Sequence, residues 1–176
     1  MINNNLEEIS KAIVSVENFP KQGVIFRDIT PILERDILRN NVLDLLIEQI
    51  PPNSVDKVVG VESRGFFFGI LLAQKLGVGF VPVRKKGKLP RAVCSAVYNL
   101  EYGTDQLEIH SDSIRKGERI LIHDDVLATG GTIKVVGDMV KKLGGNIVQY
   151  NFLIELENLD GRSKIDSESI YSLLKY

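Results

Sequence analysis

The stretch Arg119-Ile120-Leu121-Ile122-His123-Asp124-Asp125-Val126-Leu127-Ala128-Thr129-Gly130-Gly131-Thr132 narrows the folds open to this chain more than any other part of it. Its aliphatic run, Arg119 to His123, does not alternate with polar residues, which is the pattern of a strand buried on both faces, and hence of a parallel sheet covered by helices. Small residues follow, and then Ile133, Val136, Val140 and Leu143 recur at helical spacing until Gly144-Gly145 ends the pattern. In open α/β sheets, ligands bind at the carboxyl ends of strands, where this loop falls. Two adjacent carboxylates there point to a site rather than to a core.

The rest of the chain repeats the strand, loop, helix order. Val55 to Val61 reads as a buried strand, Arg64 to Leu76 as a helix closed by Gly77, and Gly79 to Arg84 as a second strand. Val93 to Leu100 and Gln106 to His110 alternate about Tyr102-Gly103-Thr104-Asp105, which predicts an antiparallel hairpin. Asn146 to Glu155 is a further strand and Ser169 to Leu174 the last. Ahead of these, Leu6, Ile9, Ile13 and Val16 predict a helix ended by Pro20 and Gly23, and Leu38, Val42, Leu45 and Leu46 a second one stopped by Pro51-Pro52. The segment between them, Phe19 to Asp28, is rich in turn residues and has no period. The expected architecture is α/β: one domain over 1–176, with a mostly parallel sheet flanked by helices and an antiparallel hairpin lid over 92–110.

Composition removes several alternatives. Hydrophobic residues make up 44% and charged residues 26% of the 176, which excludes a disordered or low-complexity chain. Lys+Arg is 22 against 23 Asp+Glu, and this balance argues against a dedicated nucleic-acid binder. Cys94 has no partner for a disulfide, and the two histidines, His110 and His123, have no ligand at metal spacing. No stretch approaches the ~20 apolar residues of a membrane span, and Met1 to Glu8 lacks the form of a signal peptide. A cytoplasmic protein with neither nucleic acid nor membrane as partner is expected.

The loop residues are chosen for an anion. Gly130 and Gly131 let backbone N–H groups turn inward, and a helix starting near Thr132 aims its positive end into the same space. Thr129 and Thr132 add hydroxyls. Asp124 and Asp125 suit vicinal hydroxyls or, through water, a metal. Together they read as a cradle for a sugar phosphate. Neither a Walker P-loop nor a G-x-G-x-x-G fingerprint is present. Ser63-Arg64 opens a helix after a strand, and is either a second anion loop with a guanidinium attached or a plain cap with a surface Arg. Arg84, Lys85, Lys86, Lys88 and Arg91 form a basic run that is either a solvated loop or a clamp on a polyanion. Glu101 sits at the predicted hairpin tip, Phe26 is either a stacking surface or a core aromatic, and Cys94 lacks a nearby base.

Asp124-Asp125 with Ala128-Thr129-Gly130-Gly131-Thr132 resembles the phosphoribosyl diphosphate signature of the type I phosphoribosyltransferases. Phe19-Pro20 with Gly23 to Thr30, Glu62-Ser63-Arg64-Gly65-Phe66, Val83 to Pro90 and Leu100-Glu101-Tyr102-Gly103 resemble, in order, motifs of the branch acting on adenine. The resemblance implies a type I phosphoribosyltransferase-like fold and transfer of phosphoribose to adenine, giving AMP and diphosphate. It implies that residues 1–30 form a base-binding hood in which Val24, Phe26 and Arg27 read adenine. It places Glu101 near purine N7 as general acid or base. It brings Ser63, Arg64, Arg84, Lys85 and Lys88 to the diphosphate, some of them from a neighbouring subunit of a homodimer, and gives Asp124, Asp125, Ala128, Thr129, Gly130, Gly131 and Thr132 the ribose phosphate. Mg²⁺ is implied, held mainly through diphosphate oxygens and waters, with no direct protein ligand assigned. His123 departs from the pattern, which usually has an aliphatic residue there. Another purine base remains open, as does a regulator of the same fold that senses phosphoribosyl diphosphate. The charge balance and the few residues ahead of Phe19 disfavour the regulator.

Overall fold

A computed structural model describes residues 2–99, 104–165 and 169–176, and the chain divides into two compact units, Met1–Leu45 and Leu46–Tyr176.

The first unit begins with helix α1 (Ile2–Ala12) and continues into a two-stranded antiparallel sheet of β1 (Val14–Glu17) and β2 (Ile25–Asp28), with Val16 opposite Phe26. The helix that the apolar spacing carries to Val16 therefore stops at Ala12. Val14 and Val16 are β-branched and alternate with polar residues, so a partner strand takes them over. That partner comes from the segment without a period, and Gly23 at φ +85 helps the chain double back, its N–H donating to Asn18 Oδ1 at 2.9 Å. A one-turn helix α2 (Thr30–Leu33) follows, with the Thr30 N–H donating to Asp28 Oδ1 at 2.9 Å. Most of α3 (Asp36–Ile47) completes the unit.

The second unit is built on β3 (Lys57–Val61), α4 (Gly65–Leu76), β4 (Gly79–Lys85), β5 (Val93–Asn99), β6 (Thr104–His110), β7 (Arg119–Leu127), α5 (Gly131–Lys142), β8 (Asn146–Glu155) and β9 (Ile170–Lys175), with two 3₁₀ turns, Glu157–Leu159 and Gly161–Lys164, before the last strand. Among the described residues, seven strands of this unit lie in the order β5-β6-β4-β3-β7-β8-β9. Neighbours from β4 to β9 in that order are parallel, and β5 and β6 join antiparallel at the β4 edge. The α/β class and the hairpin stand as the sequence implies.

Both faces are covered, as a parallel sheet requires. On one, Ile133, Val136, Met139 and Val140 of α5 join Val59, Val61, Ile120, Ile122 and Phe152 in a buried apolar cluster. On the other, α4 lies against β3, β4 and β7 and buries Phe68 and Leu72 completely. Gly60 and Gly69 make room for the Phe80 ring, which a Cβ at either position would meet within 3 Å.

One boundary differs in a way that matters for chemistry. β7 does not stop at His123 but runs through Asp124 and Asp125 to Leu127, because β8 is long enough to pair with it throughout, Asp124 opposite Phe152 and Val126 opposite Ile154. Asp is a poor strand former, and here the partner strand overrides that preference. The acid pair is held by sheet hydrogen bonding rather than by a loop.

Candidate active site

The loop after β7 encloses a cavity of about 80 Å³ lined by Asp124 and by every residue from Val126 to Ile133. That exceeds the room one water needs several times over. Its polar character comes from Asp124, Thr129, Thr132 and the backbone. Gly130, at φ +76, is the N-cap of α5 and makes no side-chain cap, so the first N–H groups of the helix face the cavity end without an internal acceptor. Ala128, Thr129, Gly130, Gly131 and Thr132 therefore meet where the sequence places them, in a setting that favours a dianion.

A second cavity of about 290 Å³ shares Asp124 and Thr132 with the first and adds Asp125, Ser63, Arg64, Glu62 and Lys85. The acid pair and the two loops that follow β3 and β7 thus border one space. Asp125 is only 5% exposed, and Arg64 Nε lies 2.6 Å from its Oδ2. Burial raises the Asp125 carboxyl above its usual range, against the pull of Arg64. Asp124 is pushed well up by burial and then by the neighbouring Asp125 charge. The Asp125 N–H donates to Asp124 Oδ1 at 3.0 Å. Two crowded carboxyls held this way present acceptor oxygens to a pair of hydroxyls.

The basic run is organised by a carboxylate to which sequence reasoning assigns no role. Glu62 accepts from Arg84 Nε at 3.2 Å, from Arg84 NH2 at 3.3 Å and from the Lys85 N–H at 2.9 Å. Burial works against its ionised form, but these hydrogen bonds hold the Glu62 carboxyl below its usual value. Lys85 Nζ pairs with Asp105 at 3.2 Å, and Arg84 NH1 donates to the Lys88 carbonyl at 3.2 Å. Arg84 and Lys88 do not line either cavity. The motif string containing Glu62 is visible in the sequence, but its partners lie more than twenty positions away.

Of the remaining candidates, Val24, Phe26 and Arg27 belong to the first unit, where Phe26 meets Phe19 edge-on with ring centres 5.1 Å apart and Arg27 NH1 donates to Ser15 Oγ. Glu101 lies outside the described residues.

His123, immediately before the acid pair, is fully buried. Strand alternation turns it away from the α5 cluster that holds Ile122. Its Nδ1–H donates to Asn151 Oδ1 at 3.0 Å, Asn151 Nδ2 donates to Gln149 Oε1 at 3.1 Å, and Gln149 Nε2 donates to the Gln49 carbonyl at 2.9 Å. A polar chain crosses β7 and β8 at a place where the pattern calls for an aliphatic residue. Burial lowers the imidazole to about 4, against the Asn151 hydrogen bond, so His123 is neutral and structural at neutral pH.

Comparison with known proteins places this geometry. The family described as the phosphoribosyl transferase domain matches residues 37–171. An adenine phosphoribosyltransferase of Flavobacterium johnsoniae is 55% identical over 169 residues, 96% of this chain and 99% of that protein. The crystal structure of adenine phosphoribosyltransferase from Thermoanaerobacter pseudethanolicus superposes with a TM-score of 0.94 at 48% identity, covering 97% of this chain and 99% of the other. The Saccharomyces cerevisiae enzyme, complexed with an imino-altritol bisphosphate and adenine, gives 0.93 at 42% identity, covering 98% and 99%. With an acid pair near a strand end, a cavity at the start of α5 and a likeness that spans nearly the whole chain, the protein belongs to the phosphoribosyltransferases, in their adenine phosphoribosyltransferase branch.

Proposed function

We propose that the protein transfers the 5-phosphoribosyl group of 5-phospho-α-D-ribose 1-diphosphate to N9 of adenine, giving AMP and diphosphate. The observation that carries the reading is the shared space between the β7–α5 cradle and the Ser63-Arg64 turn, with Asp124 and Asp125 between them. In that space the cradle takes the 5-phosphate on backbone N–H groups and the Thr129 and Thr132 hydroxyls, and the acid pair takes the ribose hydroxyls. Ser63 and Arg64 meet the diphosphate, with Arg84, Lys85 and Lys88 closing on it. The C1–oxygen bond to diphosphate breaks as the C1–N9 bond forms, and the proton of adenine leaves through Glu101 at N7. The chain forms no covalent bond. It aligns two reactants and neutralises a leaving group, and such positioning alone can supply several kcal/mol of the barrier. Val24, Phe26 and Arg27 read the base.

Among the described residues no group of three or more His, Cys, Asp or Glu could hold a metal. The carboxylate pair and the diphosphate are hard oxygen donors of the kind Mg²⁺ prefers. They fit an ion held mainly by substrate and water. When bound, Mg²⁺ supplies positive charge to the departing diphosphate. No helix among the described residues is long and apolar enough to cross a membrane, and the lone Cys94 suits a reducing compartment such as the cytoplasm.

A steady-state assay with labelled adenine tests the reaction. Adenine is converted, and hypoxanthine and guanine are not. A comparable kcat/KM for hypoxanthine would refute the base assignment and leave the reaction class standing.

The same reading includes a homodimer whose basic run reaches the partner's diphosphate. Unfolding, mixing and refolding the inactive variants Arg84→Ala and Asp125→Ala tests it. Random pairing makes roughly half the dimers mixed, and if Arg84 acts in trans each of these has one intact site, so roughly a quarter of wild-type sites return. No recovery, with mixed dimers demonstrated, puts Arg84 in its own subunit's site.

A further inference from the structure

The phosphate cradle has a back wall made from a distant part of the chain. Gly161, which opens the second 3₁₀ turn, is buried, and an added Cβ would lie 2.1 Å from the Ala128 carbonyl oxygen and 2.8 Å from the Gly130 nitrogen. The relation is reciprocal, since a Cβ on Gly130 would lie 2.2 Å from the Gly161 carbonyl oxygen. Two glycines about thirty residues apart let two backbones touch where any side chain would hold them off. Gly130 has φ +76 and needs glycine for its backbone as well. Gly161 is not among the positive-φ glycines, so at 161 glycine is demanded by space alone.

The wall is braced independently of the loop it touches. Arg162 Nε donates to Glu155 Oε1 at 3.0 Å and its NH1 to the Ile170 carbonyl at 3.0 Å, tying the turn to the ends of β8 and β9. The Leu156 N–H donates to the Leu127 carbonyl at 2.9 Å, and Ile165 enters the α5 cluster. The position of Gly161 is thus fixed by the sheet, and the loop from Ala128 to Gly130 must conform to it.

We propose that Gly161 is a positioning residue for the 5-phosphate, acting through the Ala128–Thr129 peptide. This rests on the functional reading given above and deepens it. In a trans peptide the N–H points opposite to the C=O. With the Ala128 oxygen set against Gly161, the Thr129 N–H is turned away from the wall. Gly161 does not line the cavity, whereas Ala128 and Thr129 do. The wall therefore presents a donor rather than an acceptor to a dianion. A methyl at 161 pushes the carbonyl off the wall and rotates this peptide. The cradle then loses an aimed N–H and gains an oxygen that repels phosphate, while the diphosphate turn at Ser63 and Arg64 is untouched.

The experiment uses two probes, ribose 5-phosphate and inorganic diphosphate with Mg²⁺, measured by calorimetry on wild type and Gly161→Ala. The expected result is a Kd for ribose 5-phosphate raised roughly tenfold to a hundredfold, the scale of an ångström of misplacement, with the diphosphate Kd unchanged. Steady-state KM for phosphoribosyl diphosphate rises with it, and KM for adenine does not. Leu159→Ala, just ahead of this turn and exposed, leaves both Kd values unchanged. Equal weakening of both probes by Gly161→Ala is general damage and overturns the proposal, as does an unchanged ribose 5-phosphate Kd. If Gly161→Ala does not fold, Arg162→Gln decides. Loosening the brace should weaken ribose 5-phosphate in the same direction and by less, and no change there overturns the proposal. A wild type that binds neither probe refutes the functional reading itself, and this proposal with it.

Discussion

Replacing Glu101 by Gln is expected to cut kcat by ~10²–10⁴-fold, the range ascribed to one positioned proton-transfer group. Glutamine keeps the shape and polarity of the side chain but cannot exchange a proton with purine N7. Departure of the adenine proton then falls to solvent water. Affinity for phosphoribosyl diphosphate should barely change, because the site proposed for it, Asp124 to Thr132, is left intact. A pre-steady-state measurement of the chemical step separates this from slow product release. Full kcat in Glu101→Gln, with chemistry rate-limiting, excludes the role.

The second large effect concerns stability and pH. His123 titrates at about 4 in the fold, against about 6.5 in an unfolded chain. A base with a depressed folded pKa contributes stability that is complete above the unfolded value and is lost as pH falls from 6.5 toward 4, because the unfolded chain takes up the proton first. The difference corresponds to about 3 kcal/mol, more than a hundredfold in the folding equilibrium. The acid pair acts with the opposite sign. With raised carboxyls at Asp124 and Asp125, the fold retains protons that the unfolded chain has released, so their contribution weakens as pH rises. Comparing wild type with His123→Gln removes this overlap, since both chains carry the pair. Denaturant unfolding from pH 7 to 4 should show a steeper loss in wild type by about 3 kcal/mol. Parallel curves for the two chains would show that His123 takes up its proton in the fold as readily as in the unfolded chain.

How much of this is legible in the sequence follows from the range of each interaction. The β7 strand, its small-residue loop and α5 are contiguous, so burial, turn chemistry and helical spacing converge on one answer from the residues alone. The fold class and the loop that lines the cavity after β7 are readable for that reason. Val14 and Val16 are assigned to the wrong element because helical spacing and strand alternation coincide over so few residues, and only β2 decides between them. The strand limit at His123 follows from the low strand propensity of Asp, which β8 overrides. Glu62 holding Arg84 and Lys85, the His123–Asn151 hydrogen bond and the Gly161 wall are not legible. Each joins residues 22 to 30 or more positions apart with no local pattern to mark the partner.

The strand order has a consequence for how the molecule comes into being. β3 sits at the centre of the sheet between β4, which follows it closely, and β7, which follows the whole hairpin. Asp56 ahead of β3 and Arg119 at the head of β7 are joined by four hydrogen bonds although 63 residues separate them. Pairing of β3 with β4 costs little loop entropy, but closure of β3 on β7 must wait for that long span to be ordered, and non-local parallel pairing of this kind is slow. During synthesis from the ribosome, β3, α4 and β4 emerge with one edge of the central strand unfilled. The acid pair, the cradle and the Gly161 wall arrive in the last third of the chain. A nascent or truncated chain ending before β7 therefore presents an open apolar edge on β3 and lacks the residues that would hold a ligand, which makes chain completion, rather than substrate, the event that first protects this protein from aggregation.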